Sequence, residues 1–214
     1  MKKLLIATVA TLAMGAVALP AIAQATLAPA EWTSNGGTIN SNSIITSTTT
    51  AASTGNTGRI LLTASNGATA ACHVVVATNN SFVGNGGEGF VSSGDLALGD
   101  CVSNLCAGTT ASNNSTMTSQ LSYDTSTGTI VNVISGISFT LFIPCVGPLT
   151  FTGTVETMAT HDANACGGNG GVILEFLNSA TGGTLSGPGG LTARLSGFQE
   201  VCLDDGTDLD VEIP

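Results

Sequence analysis

The chain reads as an all-β protein: an antiparallel β-sandwich with Greek-key-like connections and Gly-rich loops, preceded by a helical signal peptide. Three observations predict this. Charged residues are only 8% of the 214, and long runs almost without Lys, Glu, Leu or Arg are poor helix material, whereas Thr, Val and Ile suit a pleated surface. Alternation of period two recurs in the second half, where Leu149, Phe151, Gly153 and Val155 share one face and Thr150, Thr152, Thr154 and Glu156 the other. Gly, Asn, Asp and Pro clusters separate most of the apolar runs, as turns between strands require.

The first element is a leader. Lys2 and Lys3 form a basic start, Leu4 to Leu19 an apolar stretch, and Ala21-Ile22-Ala23 a small-x-small site, so residues 1–23 are expected to be cleaved after Ala23 or Ala25. No later segment has about 18 consecutive apolar residues, and no Cys stands at the cleavage site for lipid attachment. The expected location is therefore secreted, periplasmic or cell-surface, with no transmembrane segment in the mature protein. Residues 24–58 follow as a low-complexity segment rich in Ser, Thr and Asn, in which Ile39, Ile44 and Ile45 could build one or two strands or the whole could stay a flexible arm.

Residues 59–214 form the expected sandwich domain. Strand signals run over Arg59–Ala64, Ala70–Thr78, Phe90–Leu98, Thr116–Tyr123, Thr129–Ile143, Leu149–Met158, Val172–Leu177, Leu191–Phe198 and Asp208–Ile213. In the last two, Leu191, Ala193 and Leu195 oppose Thr192, Arg194 and Ser196, and Leu209, Val211 and Ile213 oppose Asp208, Asp210 and Glu212. One buried and one wet face is the mark of antiparallel sandwich strands. Thr129–Ile143 is too long for an average strand, and Ser135-Gly136 is expected to bend or bulge it. A division into two domains near Gly108–Asn114 is the alternative.

Charge excludes several functions. The formal net charge of −10 becomes −12 once Lys2 and Lys3 leave with the leader, because only Arg59 and Arg194 then face 14 acids. Nucleic acid is an improbable partner for such a surface, which cannot replace phosphate counterions. One Trp, one Tyr and seven Phe also supply few flat rings for sugar binding.

Cys72, Cys101, Cys106, Cys145, Cys166 and Cys202 are even in number, and in an oxidising compartment they predict three disulfides. The expected pairing is Cys72–Cys101, Cys145–Cys202 and Cys106–Cys166. Zinc is disfavoured because no CxxC occurs and thiols would oxidise.

The remaining motifs are weak. Gly84-Asn85-Gly86-Gly87-Glu88-Gly89 fits GxGxxG, but strand-like Phe90-Val91-Ser92 follows where a phosphate-binding helix is needed. Gly86–Gly89 and Gly167–Gly170 begin a calcium-repeat pattern, but Val91 and Val172 stand where its Asp belongs. Asp204, Asp205, Asp208 and Asp210 place four carboxylates within seven residues, a candidate weak calcium site or simply a solvated acidic turn. No other cofactor is expected. His73 and His161 lie in no catalytic string, no GxSxG, HExxH or SxxK occurs, and Glu156 with Glu175 could serve as glycosidase acids only if they faced each other across a cleft. No catalytic residue is assigned, and the chain is expected not to be an enzyme.

Tyr123-Asp124-Thr125-Ser126-Thr127-Gly128-Thr129, then Ile134-Ser135-Gly136-Ile137, Pro144-Cys145-Val146-Gly147-Pro148, Phe151-Thr152-Gly153-Thr154 and the late Cys202 resemble a group of bacterial secreted proteins of unassigned role. The outline is similar to the exported alkane-oxidation activator (PraB-like) family over roughly residues 72–202. Cys106 and Cys166 are extra to that pattern, and Trp32 lies far upstream of its Leu-Pro-Trp. The motifs are turn and strand chemistry, and no site residue is carried over.

The expected function is that of an exported, non-catalytic surface or matrix-associated protein, self-assembling through sheet edges or adhering to cell-surface components. The alternative is an extracellular binding module for hydrocarbon or another apolar ligand, in a cavity lined by Phe139, Leu141, Phe142 and Phe151. A secreted hydrolase is the third and least favoured reading.

Overall fold

A computed structural model describes residues 27–39, 45–49, 58–75, 80–83, 90–93, 97–113, 117–177 and 182–213. The leader and the Gly84–Gly89 loop lie outside the described residues. Within them the chain is nearly all strand, with no α-helix and two single 3-10 turns, Cys166–Gly168 and Pro188–Gly190.

The N-terminal segment contributes β1 (Leu27–Pro29), β2 (Glu31–Ser34), β3 (Gly37–Thr38) and β4 (Ile45–Thr49), four short strands where one or two were expected. Then come β5 (Ile60–Ala64), β6 (Thr69–Val75), β7 (Asn80–Val83), β8 (Phe90–Ser93), β9 (Ala97–Ser103), β10 (Thr110–Asn113) and β11 (Met117–Asp124). The expected strand Phe90–Leu98 is thus two. The two halves take different partners, β8 on β11 and β9 on β6. The second half carries β12 (Thr129–Ile143), β13 (Gly147–Asp162), β14 (Gly171–Phe176), β15 (Leu185–Ser186), β16 (Thr192–Leu203) and β17 (Asp210–Glu212).

Two antiparallel sheets result. The larger runs β7-β8-β11-β12-β13-β14-β16-β5-β6-β9, with β1 on β11, β10 on β12, β4 on β16, and β15 bridging β13 and β16. The smaller is β17-β2-β3, so the two ends of the described chain meet in one sheet. The non-consecutive neighbours β16 and β5 supply the long return of a Greek-key-like arrangement.

Long strands divide the large sheet into two halves. β12 pairs with β11 through Thr118↔Ser135 to Asp124↔Thr129, then with β10 through Thr110↔Phe142 to Asn113↔Phe139. The change of direction is a bulge: Ile134 lies opposite Val155 and Ile137 opposite Gly153, so two residues face one. Gly136 accepts the φ of 73° this needs, a conformation that costs other residues energy. β16 likewise pairs with β5 through Ala193–Ser196 and with β4 through Gln199–Leu203.

Each half has its own core on the same sheet face. One gathers Ile60, Leu62, Cys72, Cys101, Ile137, Phe139, Leu141, Phe151, Val155 and Leu185. The other packs Trp32, Ala30, Leu209 and Val211, from the small sheet and its flanks, against Leu121, Val172, Leu174, Val201 and Leu203 of the large one. The small sheet is therefore a lid over the second core. Between the cores lie buried polar residues: Asn132 accepts from Ser119 Oγ through its side chain, and its carbonyl accepts from Thr157 Oγ1. Buried and unpartnered, the Asn132 amide nitrogen is an exception to the rule that interior polar atoms are satisfied.

The disulfides are Cys72–Cys101, Cys106–Cys145 and Cys166–Cys202. The first is as expected. The other two correct the expected Cys145–Cys202 and Cys106–Cys166, and strand register is the reason. Pairing of Thr110 with Phe142 carries Cys106 to the turn that holds Cys145. Pairing of Val172 with Val201 brings the β13–β14 turn, with Cys166, onto Cys202.

Candidate functional site

β13 is the axis on which the chemistry is arranged. Sixteen residues long, it spans about 50 Å at 3.3 Å per residue. His161 and Asp162 end it, while the β12–β13 turn, Pro144 to Val146, precedes it.

At the first end, two motifs that are separate in sequence meet. His161 Nε2 lies 2.9 Å from Asp208 Oδ1, across 47 positions of chain. Asp208 sits in the β16–β17 connection, pressed on Gly170 of the β13–β14 turn; a Cβ at Gly170 would lie 2.0 Å from Asp208 Oδ1. Hydrogen bonding to Asp208 holds the His161 ring above the ordinary histidine range, with the nearby charges of Asp210, Asp208 and Asp162 adding to it and partial burial opposing. Among the described residues, Arg59 lies by β5 and Arg194 on β16, and His161 is the basic side chain bonded at this acidic pole.

Three of the four expected calcium carboxylates take different partners. Asp205 Oδ1 accepts from Thr207 N at 2.9 Å and Thr207 Oγ1 at 2.7 Å, which lowers its pKa. Asp208 takes His161, and Asp210 Oδ1 accepts from Val211 N at 2.7 Å. Among the described residues, the group of three donors that does converge is Cys166, Glu200 and Cys202. Its two sulfurs are bonded to each other, so no thiolate is present to bind a metal. The two expected alternatives, a weak calcium site or a solvated acidic turn at Asp204, Asp205, Asp208 and Asp210, both stand with these hydrogen bonds in place.

His161 and Asp208 pair as the His and Asp of a triad do, and every cysteine is in a disulfide, so no thiol nucleophile joins them. Glu175 lies opposite Met158, which puts Glu156 diagonally beside it on one sheet face, at about 7–8 Å between β-carbons. The two carboxylates stand side by side and do not face each other across a cleft. Partial burial, and then the charge of Asp124, raise the Glu156 pKa.

The opposite end of β13 is apolar. Val102, Leu105, Phe142 and Val146 are four of the six exposed large hydrophobic side chains among the described residues, each 44–51% exposed. The Cys106–Cys145 bond, with Cα atoms 6.3 Å apart, staples the β9–β10 loop, which carries Leu105, to the β12–β13 turn, which carries Val146, and Cys145 N donates to Cys106 Sγ at 3.2 Å. No charged residue occurs from Thr129 to Val155 or from Cys101 to Thr110. That charge-free run was the sequence signal for this tip. Of the residues named for an apolar cavity, Phe139, Leu141 and Phe151 are buried in the first core, with the Phe139 and Phe151 rings stacked at 5.9 Å, and Phe142 reaches the surface.

No protein-family model, no curated protein and no solved structure matches this chain.

Proposed function

We propose that the chain is exported behind its leader and works outside the cytoplasm as a non-catalytic surface or matrix protein that associates through its apolar tip. One observation carries this reading: a disulfide-stapled, uncharged tip and an acidic pole lie at opposite ends of one sixteen-residue strand, about 50 Å along its length. Exposed apolar side chains gathered in one place mark contact surfaces. Two copies meeting at their tips keep their acidic poles many Debye lengths apart, whereas side-by-side packing would align like charges. The small sheet's outer strand β17 carries Asp210 and Glu212, charges that guard its edge against pairing. Three disulfides fit an oxidising compartment, and among the described residues no helix is long and apolar enough to cross a membrane.

Four side chains are few beside the 20–30 residues per partner of a standard interface, at roughly 800 Å² a side. Each contact is weak, and a surface layer would gain from many at once. Sedimentation of the mature protein over a concentration series tests the reading: reversible association is expected, and it should vanish in Phe142→Ser/Val146→Ser. Association unchanged by that pair refutes the tip as the contact. The second reading, capture of hydrocarbon, draws on exposed Phe142 and the resemblance to alkane-oxidation activators. Partition of the protein to a hexadecane surface, lost in the same double variant, would favour it.

A further inference from the structure

The three disulfides sit in three different surroundings. Cys72–Cys101 is buried in the first core, out of reach of a dissolved reagent while the fold is intact. Cys166–Cys202 is half-buried, and both of its sulfurs face oxygen: Cys166 Sγ lies 3.5 Å from the Val201 carbonyl oxygen, and Cys202 Sγ lies 3.7 Å from Glu200 Oε1. Gly171 also backs directly onto Cys166 Sγ and covers it. Electron-rich oxygens in these places repel an incoming thiolate and disfavour a departing one.

Cys106–Cys145 has the opposite setting. Cys145 is exposed between exposed Pro144 and Val146, whereas Cys106 is half-buried against the first core. The Cys145 backbone N–H donates to Cys106 Sγ at 3.2 Å. A donor so placed stabilises a thiolate on that sulfur and offsets its partial burial. The segments that carry the bond, Cys101–Thr110 and Thr129–Val155, contain no charged residue to repel an anion.

We propose that Cys145 Sγ is a thiol-exchange site: a small free thiol attacks it as the thiolate, and Cys106 Sγ leaves. Access selects the sulfur that is attacked, and the amide N–H selects the sulfur that departs. A bond forms between the incoming sulfur and Cys145 Sγ as the Cys106–Cys145 bond breaks. The electron pair of the broken bond goes to Cys106 Sγ, which then takes a proton from water. One disulfide replaces another, so the step consumes no further oxidant or reductant. Return attack by Cys106 Sγ on Cys145 Sγ expels the thiol and restores the original bond. While the mixed disulfide lasts, the loop carrying Leu105 is no longer tied to the turn carrying Val146. The site goes beyond the associating role of the tip and does not depend on it.

The probe is 2-mercaptoethanol, a small uncharged thiol, added without denaturant at about pH 8 to the purified, oxidised protein at a concentration low enough to keep it monomeric. Samples are quenched in acid at intervals, labelled with N-ethylmaleimide and digested with pepsin for mass spectrometry. Mercaptoethanol is expected on Cys145 and N-ethylmaleimide on Cys106, at least about tenfold faster than either label at Cys72, Cys101, Cys166 or Cys202. Phe142→Ser/Val146→Ser, the variant that tests association, should still open first at Cys145, so the two readings fail separately. Opening of all three bonds at one rate, first opening at another bond, or the adduct on Cys106 instead of Cys145 would overturn the proposal.

Discussion

Replacing Cys106 and Cys145 by alanine together probes how the tip is held. The bond spans 39 positions, and closing a loop of that size restricts the unfolded chain by about 4 kcal/mol. Cys145 is exposed and Cys106 only half-buried, so little native packing goes with the sulfurs. Nearly the whole loss should therefore arise in the unfolded state. Such a loss is a large part of the roughly 5–15 kcal/mol that stabilises an ordinary domain. The Cys72–Cys101 pair spans 29 positions, which changes the loop contribution by well under 1 kcal/mol. Those two cysteines are, however, buried in the first core, so their removal should cost about 1 kcal/mol more through lost packing. Urea unfolding of the oxidised proteins, followed by circular dichroism, measures both. The Cys106/Cys145 variant should show a lower midpoint together with a steeper slope, because a chain freed of the crosslink exposes more surface on unfolding. A midpoint and slope both unchanged from wild type would refute the reasoning, since the unfolded chain would then never have been restricted by this bond.

Three further outcomes follow from the same geometry. Phe151→Ala removes a ring that is 1% exposed and stacked on Phe139, and should lose about 3–5 kcal/mol in urea titration; a loss under about 1 kcal/mol would mean the first core is not packed as described. Gly170→Ala places a methyl group within the Asp208 carboxylate, and should displace Asp208 and return the His161 titration, followed by proton NMR, toward the ordinary histidine range; an unchanged titration would contradict the contact. Because the folded-state pKa of His161 is raised, its contribution to stability is complete below about pH 6.5 and fades as pH rises through the folded value. With the His161 and Asp208 side chains 30% and 40% exposed, that contribution is about 0.2–1 kcal/mol after solvent screening, and urea midpoints at pH 5.5 and 8.5 in wild type and His161→Gln measure it.

Local pattern was legible in the sequence, and partner choice was not. Thr129–Ile143 is a strand over the expected span, with its bulge at Ser135-Gly136, because alternation and a glycine are properties of neighbouring residues. The alternation of Leu149 to Glu156 likewise sorts Phe151 and Val155 into the core. The disulfides required knowing that β10 lies on β12, yet β10 reads Thr-Ala-Ser-Asn and carries no strand signal of its own. The same holds for the lid: its pairing of β2 with β17 joins residues near opposite ends of the chain. His161 and Asp208 were each noticed alone. Only the β13–β14 turn, folding back with Gly170 left bare of a side chain, puts them in contact.

The central claim is that strand register, running through β10 on β12 and β14 on β16, fixes an oxidised framework of two cores. Mapping the disulfides of the purified, oxidised protein tests it most directly. Beyond Lys3 only Arg59 and Arg194 are open to trypsin, so cleavage after acidic residues or by pepsin is needed before mass spectrometry. Linked peptides are expected for Cys72 with Cys101, Cys106 with Cys145 and Cys166 with Cys202. Peptides linking Cys145 to Cys202 or Cys106 to Cys166 would contradict that register and, with it, both the tip and the lid.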